Sequence, residues 1–245
     1  MYPINPEKLG IYSQEILNLT MKKLLSVSLI SLIGISLNAQ KNTVGIRAGV
    51  GRSTLKTDYA DSDFDFSSKG MITAHVAIFL EHKLNQNFAL QAELGFARAG
   101  GRNSWGYQED EFSDYTIVNA ISLGKLNIPL MAKYYFNEKF NVNAGVNMAF
   151  VVAAESKYRT NGKDGFELYL NLLSETEDIK KKVKIFEVNP FLGVEFHLSK
   201  KIFIDGRYIF GVSDIAKNSN GEGYNMLKSS SLQIGIGFKF NKLSF

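Results

Sequence analysis

The sequence predicts an all-β fold, an eight-stranded antiparallel transmembrane β-barrel with short periplasmic turns and long extracellular loops. Three observations lead there. Apolar and polar residues alternate with period 2 in eight separate runs, which is the side-chain geometry of a strand. The connections between those runs alternate between very short and long, which is how outer-membrane barrels sort their turns. The polar face is rich in Gly, Asn, Ala and Thr with isolated charges of both signs, unlike the Lys- and Glu-dense face of a sheet in water.

Taken in order, TVGIRAGVGR sets Val44, Ile46, Ala48 and Val50 against Gly45, Arg47 and Gly49. MITAHVAIFLEH sets Ile72, Val76, Ile78 and Leu80 against Thr73, His75, Phe79 and Glu81. FALQAELGF follows with Phe88, Leu90, Leu94 and Phe96 against Gln91 and Glu93. In LNIPLMAKYYF, Leu126, Ile128, Leu130, Tyr134 and Phe136 oppose Asn127, Pro129, Met131, Lys133 and Tyr135. This strand extends upstream toward Tyr115, and parity slips near Gly124, as a β-bulge would make it. Pro129 removes a ladder donor and predicts a local irregularity. FNVNAGVNMAF, IFEVNPFLGVEFHL, IFIDGRYIFG and LQIGIGFKF complete the eight. KLNQN, NEK and SKK make the short turns; about 53–70, 100–114, 155–184 and 213–228 make the long ones. Within the longest, FELYLNLLSETEDIKKK admits either a strand extension or a short helix.

Placing the apolar face toward lipid puts the polar face in a lumen that eight strands leave just wide enough for side chains to fill. The expected lumen charges are Arg47, Glu93, Lys133, Glu195, Asp205, Arg207 and Lys239, with Tyr135, Phe191 and Phe203 filling space between them. Phe88, Tyr134, Phe136, Phe140 and Phe196 gather near strand ends as an interfacial girdle would. A lipocalin-like soluble barrel, with the apolar face inside, is the competing arrangement.

The amino terminus adds an address. Lys22 and Lys23 precede an apolar stretch, Leu24–Leu37, and Asn38-Ala39 offers a small-residue cleavage point before Gln40. That is the layout of a secretory signal peptide over 21–39, shorter than the ~20 apolar residues of a spanning helix. Residues 1–20 read as an unstructured upstream extension, which leaves Met1 or Met21 as the start, and 40–245 forms the barrel domain.

The 245 residues contain no cysteine, which excludes disulfides, thiolate metal sites, a cysteine nucleophile and a lipoprotein anchor. Net charge is +4, and Lys180-Lys181-Lys182 sits beside Glu175, Glu177 and Asp178, so no unopposed cation cluster suggests nucleic acid. His75, His82 and His197 are the only histidines, placed mid-strand or beside short turns, and no Ser-His-acid set forms at a reacting face. No catalytic residue and no cofactor are expected. Asp61, Asp63 and Asp65 imitate the start of a calcium loop, but Phe66 and Ile72 stand where glycine and glutamate are required, so no metal site is expected. Tyr59, Phe64, Phe66, Trp105 and Tyr107 are candidate loop contacts for a partner.

Gln233, Gly235, Phe238 and Phe240 on the last strand resemble the β-signal read by the barrel-assembly machinery, although NKLSF follows and Phe245 is itself a terminal aromatic. FALQAELGF, LNIPLMAKYYF followed by NAGV, and DGRYIFGVSDI are together similar to the recurring segments of the PorT-like outer-membrane β-barrel family, from about Thr43 to Phe240. The resemblance implies a small barrel in the outer membrane of a Gram-negative bacterium, in contact with its lipid. It implies little about activity, although the name-giving member is linked to a secretion and gliding system. The resulting expectation is a non-enzymatic binding or envelope-assembly component acting through its loops, with an envelope protein as partner. The alternatives are a narrow porin-like channel and an outer-membrane lipid-modifying enzyme.

Overall fold

The computed structural model describes residues 42–58, 67–108, 114–162, 176–217 and 226–240. Nine strands are present among them: β1 (Asn42–Asp58), β2 (Ser67–Lys83), β3 (Phe88–Gln108), β4 (Asp114–Tyr135), β5 (Phe140–Gly162), β6 (Thr176–Asp178), β7 (Phe186–His197), β8 (Ile202–Ile209) and β9 (Met226–Lys239). Eight of them close a ring in the order β1-β2-β3-β4-β5-β7-β8-β9, every neighbour antiparallel, and β9 returns to β1. Short β6 pairs only with the upper part of β5.

Three tight turns share one device. Asn85 Oδ1 accepts from the amides of Asn87 and Phe88, Asn137 Oδ1 from Lys139 and Phe140, and Ser199 Oγ from Lys201 and Ile202. A side-chain oxygen that caps the amides two and three residues on reverses the chain in minimal length. In each turn the residue before the cap also donates to the first residue of the next strand, as from Phe136 N to Phe140 O.

On the membrane stretch of the barrel, odd-numbered residues point inward and even-numbered ones outward. Ile46, Val76, Ile78, Leu90, Leu94, Leu130, Leu192, Ile234 and Ile236 stand exposed on the outer wall. Aromatic residues border this band at two levels. Toward the short turns, Phe88, Tyr134, Phe136 and Phe140 form a chain with ring centroids 5.0, 4.9 and 5.6 Å apart. Toward the other end stand Phe96, the Phe150–Phe186 pair at 5.1 Å and the Tyr208–Phe210 pair at 4.7 Å. From Phe140 to Phe150, at ~3.4 Å per residue and ~40° tilt, the band is about 26 Å tall, the thickness an outer membrane requires.

The strands continue past this band, and here the structure departs from the sequence reading. Much of 53–70, 100–114 and 155–184 is wall: β3 and β4 pair up to Gln108↔Asp114, and β4 and β5 up to Tyr115↔Gly162. Trp105 and Tyr107 therefore lie on the β3 backbone, opposite Ile117 and Tyr115. β4 keeps one parity throughout: Asn119, Ile121, Leu123, Lys125 and Met131 are all buried inside. The irregularity opposite Gly124 belongs to β5, where Gly124 faces Ala153 and Lys125 faces Val151, leaving Val152 as the extra residue. The apparent slip arises because the inner face turns apolar beyond the membrane, where the outer face meets water. Pro129 interrupts the β3–β4 ladder, which lapses opposite Glu93 and Leu94 and resumes in the same register at Gly95↔Asn127.

β8 is short, and after it the chain leaves the wall. Residues 179–184 and 211–217 cross the loop-side end of the barrel, joined by Lys184 N to Ile215 O, Lys217 N to Lys182 O and a bridge between Val183 and Ala216. Ile179, Val183, Ile215 and Ala216 meet inward Leu55, Ala99, Ile121, Leu123, Val151, Ala154 and Leu227 in one buried apolar cluster. Of FELYLNLLSETEDIKKK, Thr176–Asp178 is strand and Lys180–Lys182 a 3-10 turn. The rest of that stretch lies outside the described residues.

Candidate functional site in the barrel lumen

Beneath the apolar cluster the lumen holds charges. On β1, Arg47 reaches Asp205 of β8, with Nε to Oδ1 at 3.3 Å and a second, shorter contact from Nη2, and Glu93 of β3 at 3.3 Å. Glu93 also takes two hydrogen bonds from Arg207 at 2.9 and 3.1 Å and one from Gln91 Nε2 at 2.7 Å. The Arg207 guanidinium lies 4.6 Å from the Phe191 ring centre. Arg47 Nη2 lies 3.2 Å from His75 Nε2; because the guanidinium can only donate, that nitrogen accepts and the imidazole proton sits on Nδ1.

A second group lies nearer the short turns. Lys133 Nζ bridges Glu81 at 3.1 Å and Glu195 at 2.6 Å, and is only 1 % exposed. Lys239 Nζ also binds Glu81, at 3.0 Å, and the Tyr135 hydroxyl donates to the same carboxylate at 2.9 Å. Asn141 Nδ2 donates to Glu195 at 3.0 Å. Phe79 and Phe203 pack edge to face at 5.8 Å beneath the ammonium groups. A third tie sits under the apolar cluster, where Lys125 Nζ reaches Glu187 at 2.6 Å and Ser229 Oγ at 2.5 Å.

Glycines on β9 make the room. A Cβ on Gly235 would stand 2.8 Å from Asp205 Oδ1 and 3.1 Å from His75 Nε2, and one on Gly237 would stand 2.0 Å from the Phe203 ring. Neither residue can carry a side chain without displacing the charge network or its aromatic floor.

The seven residues expected in the lumen, Arg47, Glu93, Lys133, Glu195, Asp205, Arg207 and Lys239, are all buried there, and every one is engaged. Glu81, Lys125 and Glu187 complete the network and were missing from that expectation. Glu81 and Glu187 fall on the inward parity of their strands and were readable; Lys125 was hidden by the apparent parity change at Gly124. Among the described residues the buried set is Arg47, Lys125, Lys133, Arg207 and Lys239 against Glu81, Glu93, Glu187, Glu195 and Asp205, five against five, so these lumen charges balance.

Of the assembly-signal residues, Gln233 and Gly235 face inward while Phe238 and Phe240 face outward with rings 5.7 Å apart. Tyr59, Phe64, Phe66, the Asp61–Asp63–Asp65 run, the expected signal peptide over 21–39 and Phe245 lie outside the described residues. At the short-turn end a vestibule of about 950 Å³ opens, bordered by Lys83, Glu138, Lys139, Lys200 and Lys201, with Tyr135, His197 and Lys239 at its floor. His82 is bonded to Asn42 at that rim, with 2.6 Å between Nδ1 and Oδ1.

A polar, paired lumen inside an apolar, aromatic-bordered wall describes a small membrane barrel. The sequence model of the outer membrane protein beta-barrel domain matches residues 38–217, most of the chain. The chain belongs to that family. This outer-membrane barrel therefore resides in the outer membrane of a Gram-negative bacterium. Among solved structures, it is similar to Ail, the attachment invasion locus protein of Yersinia pestis, determined in complex with the heparin analogue sucrose octasulfate. The identity there is 12 %, the TM-score is 0.41, and the match covers 82 % of this chain and 99 % of Ail. Neisserial surface protein A matches at 10 % identity and a TM-score of 0.40, over 80 % of this chain and 97 % of that one. Outer Membrane Protein W of E. coli matches at 13 % identity and a TM-score of 0.37, over 82 % and 98 %. No match was found among curated proteins.

Proposed function

We propose that this outer-membrane barrel is a closed, non-enzymatic anchor of the PorT-like kind, which presents its loop side to a binding partner or to an envelope assembly. The observation that carries this reading is the double closure of the lumen. A neutral network of paired charges fills the membrane stretch, and an apolar cluster built from Ile179, Val183, Ile215 and the inner wall covers its loop-side end. A conducting barrel needs a continuous aqueous path, and eight strands leave none once such side chains occupy the interior. The three histidines support the non-enzymatic part: each faces Arg47, Asn42 or Asn141 and Glu195, and among the described residues none is hydrogen-bonded to a serine.

Conductance of the purified protein in planar bilayers tests the reading. The expected record is flat, without a steady open state. A large, persistent current from the unmutated protein would replace the anchor with a narrow channel. Crosslinking in intact outer membranes, with the loop-side aromatics Trp105 and Tyr107 replaced by alanine as the comparison, tests the contact role. A partner whose crosslink survives those replacements does not dock through them.

A further inference from the structure

The outer wall above the apolar band is uneven. On the β4 and β5 side it carries Ala120, Ser122, Val152, Ala153 and Glu155, with half-buried Lys157 following that carboxylate on the same face. On the β9-β1-β2-β3 side it carries Arg52, Lys56, Lys69, Arg98, Arg102 and Lys228. All but Lys228, which is half-buried, are exposed.

Two pairs among these six face one another directly across the ladder: Lys56 opposite Lys228, and Lys69 opposite Arg102. Like charges directly opposite on one sheet face are destabilising, because their Cβ atoms stand only about 5 Å apart. A Cβ on Gly70 would lie 2.5 Å from Arg52 Nε, so the arginine side chain packs against that glycine of β2. Lys228 feels Asp214 on the crossing segment. Glu81 of β2 and Glu93 of β3 point into the lumen and do not answer the other five cations.

Their height names the partner's chemistry. Arg98 stands two residues beyond Phe96 of the aromatic border, about 7 Å along the strand, and Arg52 lies opposite Ile72 and Leu232 at the edge of the apolar band. Lys56 lies four residues further, about 13 Å beyond Arg52. The six side chains thus begin where acyl chains end and point sideways, into the headgroup layer, where clustered Lys and Arg attract anionic lipid. A soluble ligand would approach from above the loop tips instead.

We propose that Arg52, Lys56, Lys69, Arg98, Arg102 and Lys228 form a docking surface for the phosphorylated headgroup of an anionic outer-leaflet lipid. The guanidinium groups take phosphate oxygens in pairs while the lysines supply point charge. Occupancy relieves the Lys56–Lys228 and Lys69–Arg102 repulsions and holds one sector of the barrel against the lipid layer. The proposal rests on the barrel's membrane position and not on the closed lumen, so the conductance test leaves it untouched.

The test uses the full chain in nanodiscs of phosphatidylcholine containing a minor fraction of diphosphoryl lipid A, with retained lipid measured by native mass spectrometry after extraction. Three proteins are compared: wild type, the R52Q/K69Q/R102Q variant, and a K139Q/K200Q/K201Q variant that removes three cations from the short-turn end. Wild type and the short-turn variant are expected to retain diphosphoryl lipid A, and R52Q/K69Q/R102Q to retain about tenfold less or lower. Heat-dependent gel migration confirms that each variant is folded. Lipid A with its phosphates removed gives a second readout that needs no variant: wild type should lose retention to a similar degree. Equal retention by R52Q/K69Q/R102Q and wild type overturns the proposal, as does equal retention of the dephosphorylated lipid. Displacement of the lipid by equimolar inorganic phosphate identifies a free-phosphate site and overturns it as well.

Discussion

Glu93 on β3 and Arg207 on β8 clasp each other across the diameter of the barrel, through two hydrogen bonds of 2.9 and 3.1 Å, with three strands between them whichever way the wall is followed. Ladder hydrogen bonds join each strand only to its neighbours, whereas this pair ties opposite walls. Lys125 and Ser229 do the same on β4 and β9, with Lys125 also reaching Glu187. The interior therefore acts as cross-bracing.

Glu93 serves both Arg47 and Arg207, so its loss should cost more than the loss of either arginine. Arg207→Ala leaves Glu93 still bonded to Arg47 and Gln91, and should destabilise by ~3 kcal/mol, the lower part of the range for breaking a buried pair. Glu93→Gln strips Arg207 of its carboxylate and leaves Arg47 with Asp205 only, and should approach ~5 kcal/mol. Urea titration of folding into bilayers measures both. The reverse order would mean that Asp205 alone suffices for Arg47.

The outer wall predicts a contrast between two arginine substitutions. Leu130 faces outward within the apolar band, and Leu130→Arg should cost ~2–4 kcal/mol if it lies near the midplane. Thr54 also faces outward but beyond the band, between Arg52 and Lys56, and Thr54→Arg should change stability by less than ~1 kcal/mol. Equal penalties in the same bilayer-folding assay would show that the band ends higher than the aromatic residues mark.

Lys22, Lys23 and the apolar stretch behind them predict a mature protein that begins near Gln40. Amino-terminal sequencing of material extracted from outer membranes reads this directly. A first residue of Met1 or Met21 would count against the signal-peptide reading.

Parity alone was enough to place Phe191, Phe203 and the ring of charges inside, because lipid outside and a polar lumen inside reinforce one alternation. The same rule misled above the band. There Ile121 and Leu123 point inward although they are apolar, since water replaces lipid as the outer solvent and the favourable sense of the pattern reverses. Strand continued where the sequence suggested loop, and a change of solvent imitated a change of register. Ile179, Val183 and Ile215 were illegible for another reason: they pack from short crossing segments with no period to read, and their partners Leu55 and Leu227 lie far away in sequence.

One of those crossing segments carries a pH-dependent clasp. Asp214 Oδ1 accepts from the Ala216 amide at 2.9 Å and the Leu227 amide at 2.8 Å, pinning the 211–217 segment to the start of β9. Desolvation alone would raise the carboxyl's pKa, but the two amide bonds outweigh it, helped by Lys184 and Lys228, and hold the group below the ordinary aspartate value. A pKa lower in the folded than in the unfolded chain contributes stability above the unfolded value of ~3.9, and that contribution fades as pH falls through the folded value. The expected consequence is local: below about pH 4, hydrogen exchange at the Ala216 and Leu227 amides should outpace the intrinsic trend with pH, while amides of β3 and β4 in the membrane band hold their protection. Asp214→Asn keeps an acceptor at the same place and removes the titration. It should weaken protection near neutral pH, because a charged acceptor is exchanged for a neutral one, and should abolish the acid-dependent loss. Mass-resolved exchange across pH 3 to 7 on both proteins decides the matter. An acid-dependent loss that persists unchanged in Asp214→Asn would transfer the clasp to another group.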